Sequence, residues 1–322
     1  MKRHCDKEIE HMKNLVFVNN IENTIYESEQ YKESLEVLER IFVLNRDFGL
    51  VKGIQIIGDS GAGKSKIIEK FKALHPSIRK DDHEHKPVMV VEMPVSPTIR
   101  SFCKCFLDAL HRPYAEKASQ DFLTRQLKSA LVGCKPYLFI IDEAQHLVEG
   151  KFLKKDPRQV ADWIKHLMND TGVSIALVGI SSIAKLTEAN EQLARRFSQR
   201  IYLKPYSADT KKNIDQLLNL LDKFFENSGY KGDWTFLAKP TSLERLCFAS
   251  DGLVGYISPF VAEAVRLATE KNLDGTLTIQ HLNQAFENQI LPSASSKKNP
   301  FHKNFEERPL NLIGEPFYRA II

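Results

Sequence analysis

Five short apolar runs recur along the chain with helical segments between them: "GIQII" from Gly53, "PVMVVEM" from Pro87, "YLFIID" from Tyr137, "VSIALVGI" from Val173 and "RIYLKP" from Arg200. That alternation yields a parallel β-sheet covered by helices on both faces. The expected fold class is therefore α/β, an αβα domain with a five-stranded parallel sheet. A chain of 322 residues can bury one such core and a smaller appended domain, but hardly two large ones.

The segments around this core read as helical or irregular. "SEQYKESLEVLERIFVLNRDFG" places Leu35, Leu38, Ile41 and Phe42 on one helical face, with Gly49 as a stop. After Pro205, "DTKKNIDQLLNLLDKFFENSG" sets Ile214, Leu217, Leu218, Leu221 and Phe225 at helical spacing with Asp209 as the expected cap. Ser258-Pro259 looks like a cap and first turn, and Thr278 a cap for a helix carrying Leu282 and Phe286. Beyond Ile290 periodicity is lost and four prolines follow, which suggests a mobile, extended, partner-binding tail. The expected divisions are 1–50, a lead-in segment; 51–205, the core; 206–291, a small helical lid; and 292–322, the tail.

Composition excludes more than it identifies. Hydrophobic residues make up 43% and charged residues 27%, with no run long enough to cross a bilayer. The first residues are charged where a secretion signal needs an apolar stretch, and five scattered cysteines suit reduced thiols, so a cytoplasmic protein is expected. Cys103 and Cys105 lack a second pair at zinc-site spacing. A net charge of +4 is too small to announce nucleic-acid binding, so any such function must rest on local clustering.

"GDSGAGKS", from Gly58 to Ser65, fits G-x-x-x-x-G-K-[ST] with an apolar strand before it and a helix after it. Its residues Gly58, Asp59, Ser60, Gly61, Ala62, Gly63, Lys64 and Ser65 are the expected nucleotide cradle. Glycines let backbone N–H groups converge on phosphate, Lys64 reaches the outer phosphates, and the Ser65 hydroxyl coordinates Mg²⁺. "YLFIIDEAQHL" supplies the complement: Asp142 for the metal and Glu143 to polarise an attacking water, which suggests ATP hydrolysis as well as binding. "ALVGISS" ends a strand in Ser181 and Ser182, either of which suits a hydroxyl near the γ-phosphate or, equally, a helix cap. "EQLARRFSQRIYL" carries Arg195, Arg196 and Arg200, candidates for an arginine finger given to a neighbouring subunit, or simply a basic helix end.

With these stations in order, the chain resembles the AAA+ ATPases, in particular the TniB/TnsC family of transposition regulators. The likeness is closest in "IIGDSGAGKSKIIEKFKALHP", "VEMPVSPTIRSFCKCFLDALHRP", "LFIIDEAQHL" and "ALVGISSIAKLTEANEQLARRF", and looser over about residues 30 to 290. Length and tail look most like the TnsC members found in guide-RNA-directed (CRISPR-associated) transposons. The resemblance implies a helical lid, ATP-dependent rings or filaments around double-stranded DNA, and bridging of a TniQ-type target selector to the transposase TnsB, sometimes with the endonuclease TnsA. It places Ser181 near the sensor position and Arg195 or Arg196 near the finger.

The lid segment "ASDGLVGYISPF" lacks the arginine of a second sensor, leaving Arg266 as an open candidate and favouring a slow ATPase. From the family layout, Arg100 with Lys104, and Lys151, Lys154, Lys155 and Arg158, are the candidate contacts to the DNA backbone, sequence-tolerant because no base-reading helix is evident. Another AAA+ machine, of the secretion or helicase-loader type, and a nucleotide-dependent signalling switch are the alternatives.

Overall fold

The computed structural model describes residues 15–79, 84–95, 98–148, 157–271 and 275–319. The chain divides into two compact units, one of residues 29–59 and 63–203, the other of residues up to Ser28, the short stretch 60–62, and everything from Lys204.

The first unit is built on five parallel strands: β1 (Gly53–Gly58), β2 (Val88–Glu92), β3 (Leu138–Asp142), β4 (Ser174–Gly179) and β5 (Gln199–Leu203), in the spatial order β2-β3-β4-β1-β5. β1 and β4 are buried at every position, as central strands of a doubly covered sheet should be. They pair in register, Gly53 opposite Ile175 through Ile57 opposite Gly179. Gly53 is glycine for a packing reason, since a Cβ there would lie 2.6 Å from the Phe197 ring.

Helix α1 (Glu29–Phe48) covers the sheet with Leu38, Ile41 and Phe42 buried, and ends as anticipated where Gly49 turns to φ +65° and donates to the Asn45 carbonyl at 2.9 Å. Leu35, expected on that face, is partly buried. Helices α2 (Lys64–Leu74), α3 (Ile99–Ala109), α4 (Gln120–Cys134) and α5 (Pro157–Thr171) belong to the same unit, with two short helices, Ala184–Glu188 and Glu191–Arg196, before β5. Phe106 stacks on Phe102 at 4.2 Å and meets Phe139 of β3 edge-on at 4.1 Å, which ties α3 to the sheet.

The second unit is helical: α6 (Lys211–Ser228), α7 (Pro240–Ser250), α8 (Val254–Lys271) and α9 (Ile279–Gln289). Two expected caps move. Thr210, not Asp209, caps α6 by accepting from the Asn213 N–H at 3.3 Å, while Asp209 takes the Asn213 side-chain amide at 2.6 Å. Ser258-Pro259 lies inside α8 instead of at its start. The helix begins a turn earlier because Ile257 is fully buried, and Pro259 leaves the Gly255 carbonyl without its N–H donor in the helical ladder. Ser258 donates to the Ile21 carbonyl at 3.2 Å instead of capping. Thr278 does stand at the N-cap of α9.

The segment after Pro292 departs furthest from the mobile tail expected of it. Phe301, Phe305, Leu310 and Phe317 are buried in the core of the second unit, and Phe301 stacks on Phe260 with ring centroids 5.3 Å apart. Glu315, itself buried, accepts from Arg308 at 2.6 Å and from the Leu312 N–H at 2.9 Å, and the guanidinium holds its carboxyl down at about 2. Aromatic anchors spaced irregularly through turns are buried here without leaving a period to detect.

Truncating Phe301 to Ala is expected to destabilise the protein by about 3–5 kcal/mol in urea unfolding, the usual range for emptying a buried phenylalanine site. Ile313→Ala, at a side chain that is 82% exposed in the same segment, should stay within about 0.5 kcal/mol of wild type.

Candidate functional site

Parallel strands of one sheet finish at the same edge, and here the order β3-β4-β1 brings Asp142, Gly179 and Gly58 to neighbouring strand ends. Loops following such ends are where open α/β sheets bind ligands. The stretch leaving β1 turns with Gly61 at φ +84° and Gly63 at φ +94°, conformations that side-chain-bearing residues rarely adopt. Gly63 is the N-cap of α2, and no side chain caps the helix there. Its positive end is thus offered to an anion. Within the second unit, which takes in residues 60–62, the Gly255 N–H donates to the Gly61 carbonyl at 2.8 Å. A Cβ on Gly255 would come 2.8 Å from the Gly61 Cα, so this approach requires glycine.

Lys64 is 7% exposed and its ammonium donates to the Gly58 carbonyl at 2.7 Å and the Asp59 carbonyl at 2.9 Å. Burial pushes its pKa down, against the pull of the Glu143, Asp142 and Asp59 carboxylates. Asp142 closes β3 opposite Glu92 of β2. Burial raises its pKa foremost; the Glu143 N–H, donating to Oδ1 at 2.9 Å, and the Lys64 charge oppose this, while the charges of Glu143 and Glu92 add to it. Lys64, Asp142 and Glu143 are therefore within electrostatic reach of one another. Glu143 takes a left-handed backbone at φ 51°, which lifts it out of the strand direction.

This donor set suits a polyphosphate with its cation. A left-handed glycine loop, an uncapped helix start and a buried ammonium fit the phosphates, and Asp142, held against ionisation by burial, gains by facing a cation. Among the described residues no cluster of three or more His, Cys, Asp or Glu side chains could hold a metal. An ion here would depend on phosphate and water ligands beside Ser65 and Asp142, which is the habit of Mg²⁺. Ser65 is exposed on the first turn of α2.

The remaining expected residues are each engaged or exposed in their own surroundings. Ser181 is exposed and opens the helical turn Ser181–Ile183 that follows β4. Arg195 is 76% exposed and bonds the equally exposed Glu191 at 2.5 Å; Arg196 donates to the Asn169 side chain; Arg200 on β5 donates to Thr187 at 2.8 Å. Arg100 and Lys104 converge on Glu116, whose carbonyl accepts from them at 2.6 and 3.1 Å and whose carboxylate pairs with Lys104. Arg158 is exposed near the start of α5, whereas Lys151, Lys154 and Lys155 lie outside the described residues. Arg266 is forked between Glu263 and Glu270, each at 2.7 Å, which occupies its guanidinium within its own helix.

Two glutamines carry more of the site than the sequence suggested. Gln55, fully buried in β1, donates to the Ile183 carbonyl at 3.1 Å and so ties down the turn after β4. Gln145, within "DEAQHL", donates to the Glu143 carboxylate and accepts from the Ile180 N–H at 3.4 Å. A polar residue inside the apolar run "IQII" was the available signal for the first; nothing in the sequence marked the second.

Residues 19–207, more than half of the chain, match the family model described as "Bacterial TniB protein". No curated protein matches the sequence. Among solved structures, the Aeropyrum pernix ORC2 protein (ADPNP-ADP complexes) superposes with TM-score 0.60 at 14% identity, covering 86% of this chain and 73% of that one. Cdc6p from Pyrobaculum aerophilum gives TM-score 0.62 at 14% identity over 86% and 72%. The Aeropyrum pernix ORC1 protein in complex with DNA gives 0.55 at 14% identity over 85% and 69%. At such identities the likeness establishes the fold: the α/β core with its five-stranded parallel sheet and C-terminal helices.

Because burial raises the Asp142 pKa, the charged carboxylate opposes folding at neutral pH. Asp142→Asn is therefore expected to raise the urea midpoint of the nucleotide-free protein at pH 7. The gain should vanish as the pH falls below the ordinary carboxylate range, where Asp142 is neutral in folded and unfolded chains alike.

Proposed function

The chain belongs to the TniB family of bacterial proteins, and from that premise we propose that it is an ATP-hydrolysing regulator of DNA transposition that grips duplex DNA while its nucleotide is intact. The observation that carries this reading is the convergence of Lys64 with the Asp142–Glu143 step at one sheet edge. Bound ATP with its magnesium ion supplies the scissile phosphoanhydride bond and the cation that neutralises charge upon it. Lys64 holds the outer phosphates, Ser65 and Asp142 hold the ion, and Glu143 orients and polarises the attacking water. Ser181 follows β4 and is suited to sensing the γ-phosphate.

Arg195 is the better placed finger for a neighbouring subunit, since its exposed partner Glu191 binds it weakly, while Arg196 is committed to Asn169. A site completed by the next protomer makes ATP a condition for assembly, and hydrolysis a timer for release. Arg266 is occupied by two carboxylates, which favours slow turnover over a fast motor. The cations proposed for the DNA backbone are Arg100 and Lys104, with Lys151, Lys154 and Lys155 as a second set. The fold is shared with a protein solved on DNA, which is compatible with this role. Within the same proposal the assembly links a TniQ-type target selector to the transposase TnsB and the endonuclease TnsA, as in guide-RNA-directed transposons. A signalling switch that works by releasing its tail is disfavoured by the burial of Phe301, Phe305, Leu310 and Phe317.

Glu143→Gln is expected to bind ATP as wild type does, to lose about 100-fold or more in hydrolysis, and to prolong the lifetime of DNA-bound assemblies seen by electron microscopy and dissociation kinetics. Assemblies no longer-lived than those of wild type would sink the timer idea.

The double variant Arg100→Glu, Lys104→Glu should abolish salt-sensitive duplex binding in fluorescence anisotropy. Glu116→Gln, which removes the carboxylate holding Lys104, should tighten binding and steepen its salt dependence by about one phosphate contact. Unchanged binding in both would move the DNA contact away from this helix.

A further inference from the structure

Glu143 stands on a left-handed residue, and its own backbone N–H is directed at Asp142, so neither feature fixes where its carboxylate lies. Gln145 supplies that constraint. It is 6% exposed on the turn Ala144–Leu147; its Nε2 donates to Glu143 Oε2, and its Oε1 accepts from the Ile180 N–H at 3.4 Å. The end of β4 is shaped around this amide, because a Cβ on Gly179 would run into Gln145 Oε1 and lie 3.2 Å from the Gln145 backbone nitrogen. From the other side, Gln55 holds the turn after β4 through the Ile183 carbonyl at 3.1 Å.

We infer that Gln145 is a positioning residue for hydrolysis, which clamps the Glu143 carboxylate to the end of β4 and leaves Oε1 of that carboxylate for the attacking water. The chemistry follows from the groups themselves. A neutral amide N–H can bond a carboxylate without adding a positive charge that would weaken its hold on an incoming proton, and a buried amide with both ends engaged has one orientation. Because the acceptor end is bonded to Ile180, next to Ser181, displacement of the turn after β4 is transmitted to Glu143 through a single side chain. This inference rests on the hydrolytic role of Glu143 proposed above and adds to it a device by which the turn carrying Ser181 governs the general base.

The test compares Gln145→Met, which keeps shape and removes both hydrogen bonds, with Gln145→Glu, which keeps size and places a carboxylate against a carboxylate. Both are measured alone and combined with Glu143→Gln, using Mg-ATP turnover and the affinity for a fluorescent non-hydrolysable ATP analogue. Both single variants should lose about 10- to 100-fold in kcat, the usual consequence of misplacing a reacting group, with analogue affinity within about 2-fold of wild type. Neither should slow Glu143→Gln any further, since residues acting through one group are not additive. Wild-type kcat in Gln145→Met would show that packing suffices and overturn the inference, as would lost analogue affinity in both variants or an additive loss in the double variants. Wild-type turnover by Glu143→Gln itself would instead remove the hydrolytic role of Glu143, and the inference with it.

Discussion

Everything at the candidate site depends on the pairing of β1 with β4 at the centre of the sheet. Both strands are buried from end to end, so a slip of one residue would turn apolar side chains against the wrong layer. The register is accordingly narrow, and it brings Ile57 opposite Gly179. From that one alignment follow the position of the glycine loop after Gly58, the turn beginning at Ser181, and, through β3 on the far side of β4, the Asp142–Glu143 step. The covering helices then decide which of these groups lose water.

Loss of water is what gives the site its electrostatic character. Lys64 and Asp142 are both shifted toward their neutral forms by burial, and each is drawn back toward charge by the other. Such an arrangement is poorly stabilised by itself, and it suits a ligand carrying both anionic oxygens and a cation. The ammonium meanwhile satisfies the Gly58 and Asp59 carbonyls, so the loop keeps its shape without relying on side-chain caps. Stability withheld at this edge is supplied in the layer behind it by the aromatic cluster of Phe102, Phe106 and Phe139, while the glutamine ties at Gln55 and Gln145 brace the edge itself.

How legible the molecule was in its sequence depends on how far apart in the chain each cause lies from its effect. Mostly apolar strands of five or six residues, a glycine loop between a strand and a helix, and Gly49 closing α1 are local matters, and all stand where the sequence placed them. Caps were misjudged where two candidates adjoin, as with Asp209 and Thr210, because the choice is settled by a single N–H direction. The Pro259 turn was misjudged because burial of Ile257 extends the helix backwards past its proline. Arg100 and Lys104 were visible as cations, but their shared partner Glu116 follows α3 in sequence and reaches them only through folding.

The sequence by itself determined the class of fold, the place of the glycine loop between a strand and a helix, and the Asp142–Glu143 step at a strand end, because each is written in neighbouring residues whose conformation needs no distant partner. Only the tertiary structure decided that Phe301, Phe305, Leu310 and Phe317 are core and not part of a free tail, that Arg266 is spent on Glu263 and Glu270, and that Gln145 holds Glu143 to the end of β4. The physical reason is the same in each case. Burial and hydrogen-bond partnership belong to pairs of groups brought together across the fold, and a side chain's type states what it can do without stating what it will meet.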